Sequence, residues 1–487
     1  ALSPAYHNTF FLAKFVGTPS QSGVYGFKLK PSGAGFELGE SKLVVGGVLP
    51  TGLDFGPDGA LYIADWIDGW GTHDYGRIWK LDDRRGQNLN EREQTKALLA
   101  ADLKQKSSHY LEALLKSPDM RVRLKAQFEI ATRGNEGVQI FKNTLSQGAH
   151  QLSRVHAVWG LCQMARKEKK IAEHLIQYLK DQDPEIRAQV AKWLGDIKYK
   201  ESAQKLLPLL KDEYARARFF AAEALGRFEH ETAISNLIEL LRDNNDKDVY
   251  IRHAASLALA RIGKAEPLVQ LAKDSSRAVR IAAVVALRRM GHAGIAEFLN
   301  DKDEFVVTET ARAINDELSI NDALPALGNL LMTTGFKNEA LIRRCINANL
   351  RVGTDQALNN LLEYTRDESA PVAMRTEALH AISTWAKPSV VDRVDGRYRG
   401  EIVRDENKLR NVSGSTITQL LNNKNAAIRL SAVKSVGKIR ISETATPLLS
   451  LLKIDNDAAV RKEALKALAS LNDSRMDEAI RLAVADK

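Results

Sequence analysis

Arg393, Arg397, Tyr398 and Arg399 are the side chains best suited to grasping another molecule. A guanidinium offers five N–H donors in a planar fork that matches a carboxylate or a phosphate, and a phenol ring can stack. The four lie in residues 387–412, which hold seven basic and five acidic side chains and two glycines. One expectation is that they are partner-binding. The competing one is that the loop packs back on its scaffold, with Tyr398 buried and the arginines paired to Asp392, Asp395 and Glu401.

Other chemistry is thinly represented. The ten histidines are dispersed, with no i, i+4 pair near a third ligand, so a zinc site has no support. Asp65, Asp68, His73 and Asp74 could coordinate calcium, against the plainer reading that they are turn residues. Nucleophile-elbow, P-loop and dinucleotide motifs are absent. Cys162 and Cys345, the only cysteines, replace apolar helical positions 183 residues apart and are read as buried thiols. Without Cys-x-x-Cys-His no covalent haem is expected on this chain, and no other cofactor is.

The element that must position the arginines repeats along the sequence. In Asp183 to Gly195, Arg187 is followed at +3 by Val190, at +7 by Leu194 and at +8 by Gly195. Related frames begin at Arg218, Arg252, Arg280, Arg375, Arg429 and Arg461, with weaker copies at Arg123, Arg154 and Arg343 and near Thr308, where the Arg is missing. Anchors are mostly 28 to 35 residues apart, except for a gap of 54 between Arg375 and Arg429. A fixed period of this size means a solenoid of stacked units, and an insertion in it becomes a loop on one face. Asp183 before Pro184 reads as an N-cap followed by Pro at the first helical position. Ile171, Leu175, Ile176 and Leu179 mark a preceding helix. Each unit is then a helical hairpin that buries its apolar face only by stacking, with the Arg forming a ladder along the stack. The pattern resembles short bacterial HEAT repeats. The expected fold is mostly α: a right-handed HEAT-repeat α-solenoid over residues 108–487, after a linker with a short helix at 83–107.

Lys and Arg exceed Asp and Glu by nine. Nucleic acid is the weaker explanation, because many of these arginines sit at the structural anchor. No apolar run is long enough to cross a membrane as a helix.

Residues 1–82 differ in kind. Short β-type runs (Phe10 to Leu12, Val24 to Leu29, Leu43 to Val48, Leu61 to Ala64, Arg77 to Leu81) are separated by Gly and Pro clusters, and Gly56 to Gly59 reads as a tight turn between antiparallel strands. Such a segment suggests propeller blades, with Trp66, Trp70 and Trp79 in the blade core. Leu53 to Trp66, Asp68 to Trp70 and Gly76 to Leu81 resemble the closing blade of bacterial membrane-bound dehydrogenase or haem-binding proteins. Trp385 to Ser389 and Asp392 to Arg399 fit the same resemblance. It implies a quinoprotein-like propeller, HEAT repeats and a cytochrome c domain in a parent protein that carries PQQ and c-type haem. It also implies a periplasmic or exported location and places Lys14 near a central channel. On this reading the chain is a C-terminal fragment lacking the cytochrome. The missing N-terminal propeller and cytochrome domains, or another protein, are its expected partners. Exposed edges of the blade are expected to be covered by another copy, by a separate N-terminal piece or by the first helices. The leading functional expectation is a scaffold for protein or interdomain docking. The alternatives are the last blade of a sugar or alcohol dehydrogenase and a basic nucleic-acid-binding array.

Overall fold

The structure, a computed structural model, describes residues 4–68, 70–71, 74–82, 89–147 and 150–485. It divides into two compact units, Ala1–Ile262 and Gly263–Lys487.

The first unit opens with six strands: β1 (Phe10–Lys14), β2 (Gly23–Ser32), β3 (Gly35–Gly46), β4 (Pro50–Phe55), β5 (Leu61–Asp65) and β6 (Arg77–Leu81). They form two antiparallel three-stranded sheets, ordered β1-β2-β3 and β4-β5-β6. Alternation along β1 and β5 decides which of their residues are buried. Val24, Leu61 and Ile63 are fully enclosed, with Phe11, Val45, Leu53, Phe55 and Leu81 packed against them. The opposite face of β1 and β2 pairs Phe10 with Phe27 and leaves Phe10 and Leu12 exposed. The expected turn joins β4 to β5, where Gly56 N–H donates to the Ala60 carbonyl at 2.9 Å. β3 runs from Gly35 and ends at Gly46, and β4 had no counterpart in the sequence reading. Gly35, Gly39 and the glutamates between and after them hide β3, and Pro50 and Gly52 hide β4. The tryptophans are not core. Trp66, Trp70 and Trp79 are all exposed: Trp79 Nε1 is held at the rim by Asp65 (2.8 Å), and Trp70 lies against Phe15 and Gly17.

The turns of both sheets rest on helices. Arg121, in the Met120–Ala131 helix, donates to the Phe55 and Gly56 carbonyls at 2.9 and 2.8 Å. Arg92, in the Leu89–Ala100 helix, donates to the Gly59 carbonyl at 3.1 Å. The β2–β3 turn reaches the start of the Val249–Ile262 helix, where Ala34 N–H donates to Asp248 at 2.6 Å and Arg216 lies over the Phe36 ring. These contacts fall at the turns and strand ends, not along the edge strands whose cover was expected.

The repeats follow the expected frame. Their second helices in the first unit are Met120–Ala131, Gln151–Ala165, Pro184–Asp196, Ala215–Arg227 and Val249–Ile262. In the second unit they are Arg277–Met290, Glu304–Asn315, Glu339–Val352, Val372–Ser383, Ala426–Ile439 and Ala458–Leu471. First helices are more broken: residues 169–180 form one α-turn between two 3-10 stretches, with Leu175 and Leu179 buried. Asp183 caps its helix by accepting from Glu185 N–H at 2.9 Å.

The arginine ladder is present. Arg154, Arg187, Arg280 and Arg429 each fork onto the aspartate between the two helices of the next unit: Asp181, Asp212, Asp301 and Asp455. Arg187, Arg280 and Arg429 also donate to the carbonyls five and six residues upstream, which closes the turn before their own helix. The glycine at +8 has a packing reason: a Cβ on Gly195 would stand 2.7 Å from Ala224 Cβ, and one on Gly226 would stand 2.6 Å from Ala258 Cα. Consecutive second helices touch nearly backbone to backbone there. Cys162 and Cys345 are fully buried, as expected, and burial pushes both thiols up. No helix among the described residues is long and apolar enough to cross a membrane.

Candidate functional site

The 54-residue gap in the frame becomes an irregular loop after the Val372–Ser383 helix. The next helix, Glu406–Leu420, begins earlier than expected, capped by Asp405 at Asn407 N–H (2.8 Å). The loop is folded tightly on itself. Val391 bridges Tyr398, Asp392 N–H donates to the Arg397 carbonyl at 2.8 Å, and Arg399 N–H donates to the Val390 carbonyl at 2.7 Å.

Asp392 pins this loop. Its side chain is 1 % exposed; one oxygen accepts from Val394 N–H (2.8 Å), the other from Asn347 Nδ2 (2.9 Å) and Arg399 Nε (3.2 Å). Burial alone would raise its pKa, but these hydrogen bonds and the Arg399 charge outweigh that and lower it. A buried carboxylate is tolerated only when its lone pairs are satisfied in this way. Arg399 also donates to Asp395 (2.7 Å) and to the carbonyls of Glu317 and Asn315 (2.7 and 3.1 Å). Asp395 in turn accepts from Glu317 N–H at 2.7 Å. Arg404 holds the far end, donating to the Trp385 and Leu350 carbonyls, both at 2.7 Å, with its guanidinium over the Trp385 ring.

The four expected binding residues therefore separate. Arg399 is spent on structure, as the packed reading expected. Arg393 pairs with Glu377 (3.0 and 3.1 Å), not with a loop carboxylate, and forms one wall of a polar groove. Tyr398 is 73 % exposed, contrary to the packed reading, and Arg397 is exposed beside it. Tyr398 borders a cleft of about 660 Å³ where Leu318, Leu324 and Ile402 face Asn321, Arg351 and Arg399. Leu318 is 93 % exposed, the most open large apolar side chain described.

Several residues that build the site were missed from sequence. Asn315, Asn347 and Arg351 underlie the loop, with Arg351 bonded to the Asn315 carbonyl and the Ser319 hydroxyl, both at 3.1 Å. The available signal was the broken ladder. No guanidinium occupies the Thr308 position, and Arg344 instead reaches back to Asp316 at 2.6 Å. Arg343, expected as an anchor, pairs outward with Glu339 and Glu377.

Lys14 lies at the exposed end of β1, its Nζ 5.7 Å from the Tyr25 ring centroid. No converging set of donors for a quinone surrounds it among the described contacts. Asp65 is the last residue of β5: buried, it accepts from Leu49 and Ile67 N–H groups, both at 2.9 Å, rather than facing a cation site. Asp68 and Asp74 are exposed, and His73 lies outside the described residues. Among the described residues no three His, Cys, Asp or Glu side chains converge to hold a metal.

Residues 138–218, 172–260 and 415–486 match HEAT repeats. No curated protein matches the chain. Among solved structures, an engineered protein is similar at 17 % identity over 77 % of this chain and 97 % of its own, with a TM-score of 0.29. Importin beta crystallised with ammonium sulfate is similar at 13 % identity over 80 % of this chain and 60 % of its own, with a TM-score of 0.40. The complex of CpcE and CpcF of phycocyanin lyase from Nostoc sp. PCC7120 is similar at 22 % identity over 50 % of this chain and 94 % of that one, with a TM-score of 0.24. Likenesses at these TM-scores carry no argument. The HEAT-repeat character rests on the sequence match and on the stacked helices. None of these matches is a quinoprotein or a cytochrome, so the dehydrogenase resemblance gains nothing from them.

Proposed function

We propose that the chain is a protein-docking scaffold and that its contact point is the rigid loop ending in Arg397 and Tyr398. The observation that carries this is the contrast within one loop. Asp392, Asp395, Arg399 and Arg404 are all committed inward, while Tyr398 stands 73 % exposed beside a cleft of mixed polar and apolar lining. Tyr and Arg are enriched at interface anchors, and a loop already held in one conformation loses little entropy on binding. A photoreactive phenylalanine analogue in place of Tyr398, irradiated in the native cells, should give a discrete protein adduct that Arg397→Glu abolishes. The same analogue in place of exposed Lys424 should not give that adduct. Identical adducts from both positions, or none from Tyr398, would count against the reading.

The finer reading assigns the partner to an exported redox protein, as a propeller or cytochrome domain of a parent polypeptide. What supports it is the resemblance of residues 53–81 and 385–399, together with the apolar outer face of β1 and β2 at Phe10 and Leu12. The test is whether the cross-linked species carries haem or a quinone.

A further inference from the structure

We infer that the groove behind Arg393 binds an extended acidic peptide segment, with one carboxylate for each helix it crosses. This goes beyond the loop reading and does not need Tyr398. The groove encloses about 450 Å³ along three successive second helices, Val372–Ser383, Ala426–Ile439 and Ala458–Leu471. Each helix contributes a lane at helical spacing: Glu377 and His380, then Lys434 and Lys438, then Glu463 and Lys466. With Arg393 there are four permanent cations against two carboxylates. Both carboxylates are engaged: Glu377 by Arg393 and Arg343, and Glu463 by Lys466 at 3.4 Å. Lys434 and Lys438 have no carboxylate partner among the described residues and stand one turn apart on the central helix. Burial, followed by the charges of Arg393, Lys438 and Lys434, lowers the pKa of His380, so the imidazole is an uncharged donor or acceptor on the floor. Five hydroxyls also line the groove, from Thr376, Ser383, Ser431, Ser435 and Ser470.

Geometry selects among anions. Packed helices lie about 8–10 Å apart and an extended chain advances about 3.3 Å per residue, so the cations of successive lanes, Arg393 beside the first helix, Lys434 and Lys438 on the second and Lys466 on the third, are met by acidic side chains about three residues apart. No Phe, Tyr or Trp lines the groove and His380 is the one ring in its lining, so successive bases have no row of stacking platforms there. The free cations are lysines, point charges suited to single carboxylates and lacking the fork that grips phosphate from two sides.

The test is fluorescence anisotropy of the purified full chain with labelled peptides of about ten residues, extended by Gly and Ser and carrying Asp at about every third position. At about 50 mM salt this peptide should bind about threefold or more tighter than one of equal composition with its aspartates contiguous. Lys434→Gln with Lys438→Gln, both exposed and without structural bonds, should weaken it about tenfold, a loss of about 1.4 kcal/mol, with an unchanged melting curve. Tyr398→Ala should leave peptide affinity unchanged, which separates this site from the loop. Equal binding by the double variant, equal binding of the two peptides, or displacement by inorganic phosphate or single-stranded DNA at matched charge would overturn the inference.

Discussion

Arg429 and Asp455 meet in a forked pair, Nε and Nη2 at 2.7 and 2.8 Å from the two carboxylate oxygens, which joins one repeat to the turn between the two helices of the next. Asp455 also accepts from Asp457 N–H at 2.9 Å, so one residue shapes its own turn and receives the neighbour's arginine. Arg187 and Asp212 do the same in the first unit. The bonds raise the pKa of both arginines and, outweighing burial, lower that of both aspartates.

Removing a rung should cost more than an exposed salt bridge. Arg429→Ala leaves a mostly enclosed carboxylate unpaired and frees the Asn423 carbonyl, so a loss of about 2–3 kcal/mol is expected by denaturant titration. An aspartate held low contributes stability above its unfolded value of 3.8, and loses it as pH falls through the lower folded value. The difference between wild type and Arg429→Ala should therefore be full at neutral pH and shrink below about pH 4.

Gly195 and Gly226 set how closely neighbouring repeats approach. Gly195→Val should destabilise by about 1–3 kcal/mol through overpacking against Ala224, although valine is the more hydrophobic residue. Gly335→Ala, where a Cβ would meet nothing within 4 Å, should be close to neutral in the same melt.

His156 gives the fold a pH dependence on the acid side of neutrality. Its Nε2 accepts from Arg123 at 3.1 Å, so Nδ1 carries the proton given to Gln127 at 2.8 Å, and burial together with Arg123 lowers the pKa from 6.5 to about 4. Between those values the unfolded chain binds more protons, so stability is full above 6.5 and falls as pH drops toward 4. The slope is at most about 1.4 kcal/mol per pH unit from this group. His156→Gln should flatten that part of a pH–stability profile.

The β2–β3 turn should be held by Asp248. Asp248→Ala removes the acceptor for Ala34 N–H and the cap of the Val249–Ile262 helix, at Tyr250 N–H (2.8 Å). Faster amide hydrogen exchange is expected at Ala34 and in the first turn of that helix, with exchange in the buried centre of β5 unchanged.

The repeats were legible because one face of each helix repeats a short frame, so Arg187, Leu194 and Gly195 announce their roles without a partner in view. The loop was less legible. Its support comes from Asn315, Asn347 and Arg351, 41 to 84 residues from Arg399 and Asp392, at positions where the frame breaks and no periodicity marks the replacement. Arg393 illustrates the difficulty: its carboxylate is Glu377, a full helix face away, and nearer Asp392 and Asp395 are taken by Arg399. The β segment fell between these cases: β1, β2, β5 and β6 were readable, while β4 and the first half of β3, broken by Pro50, Gly52, Gly35 and Gly39, were not.

The docking account is tested most directly by isothermal titration of the protein cross-linked through Tyr398, once purified, against wild type and Tyr398→Ala. The account predicts a loss of about tenfold or more in affinity with an unchanged melting temperature. Equal affinities would contradict it.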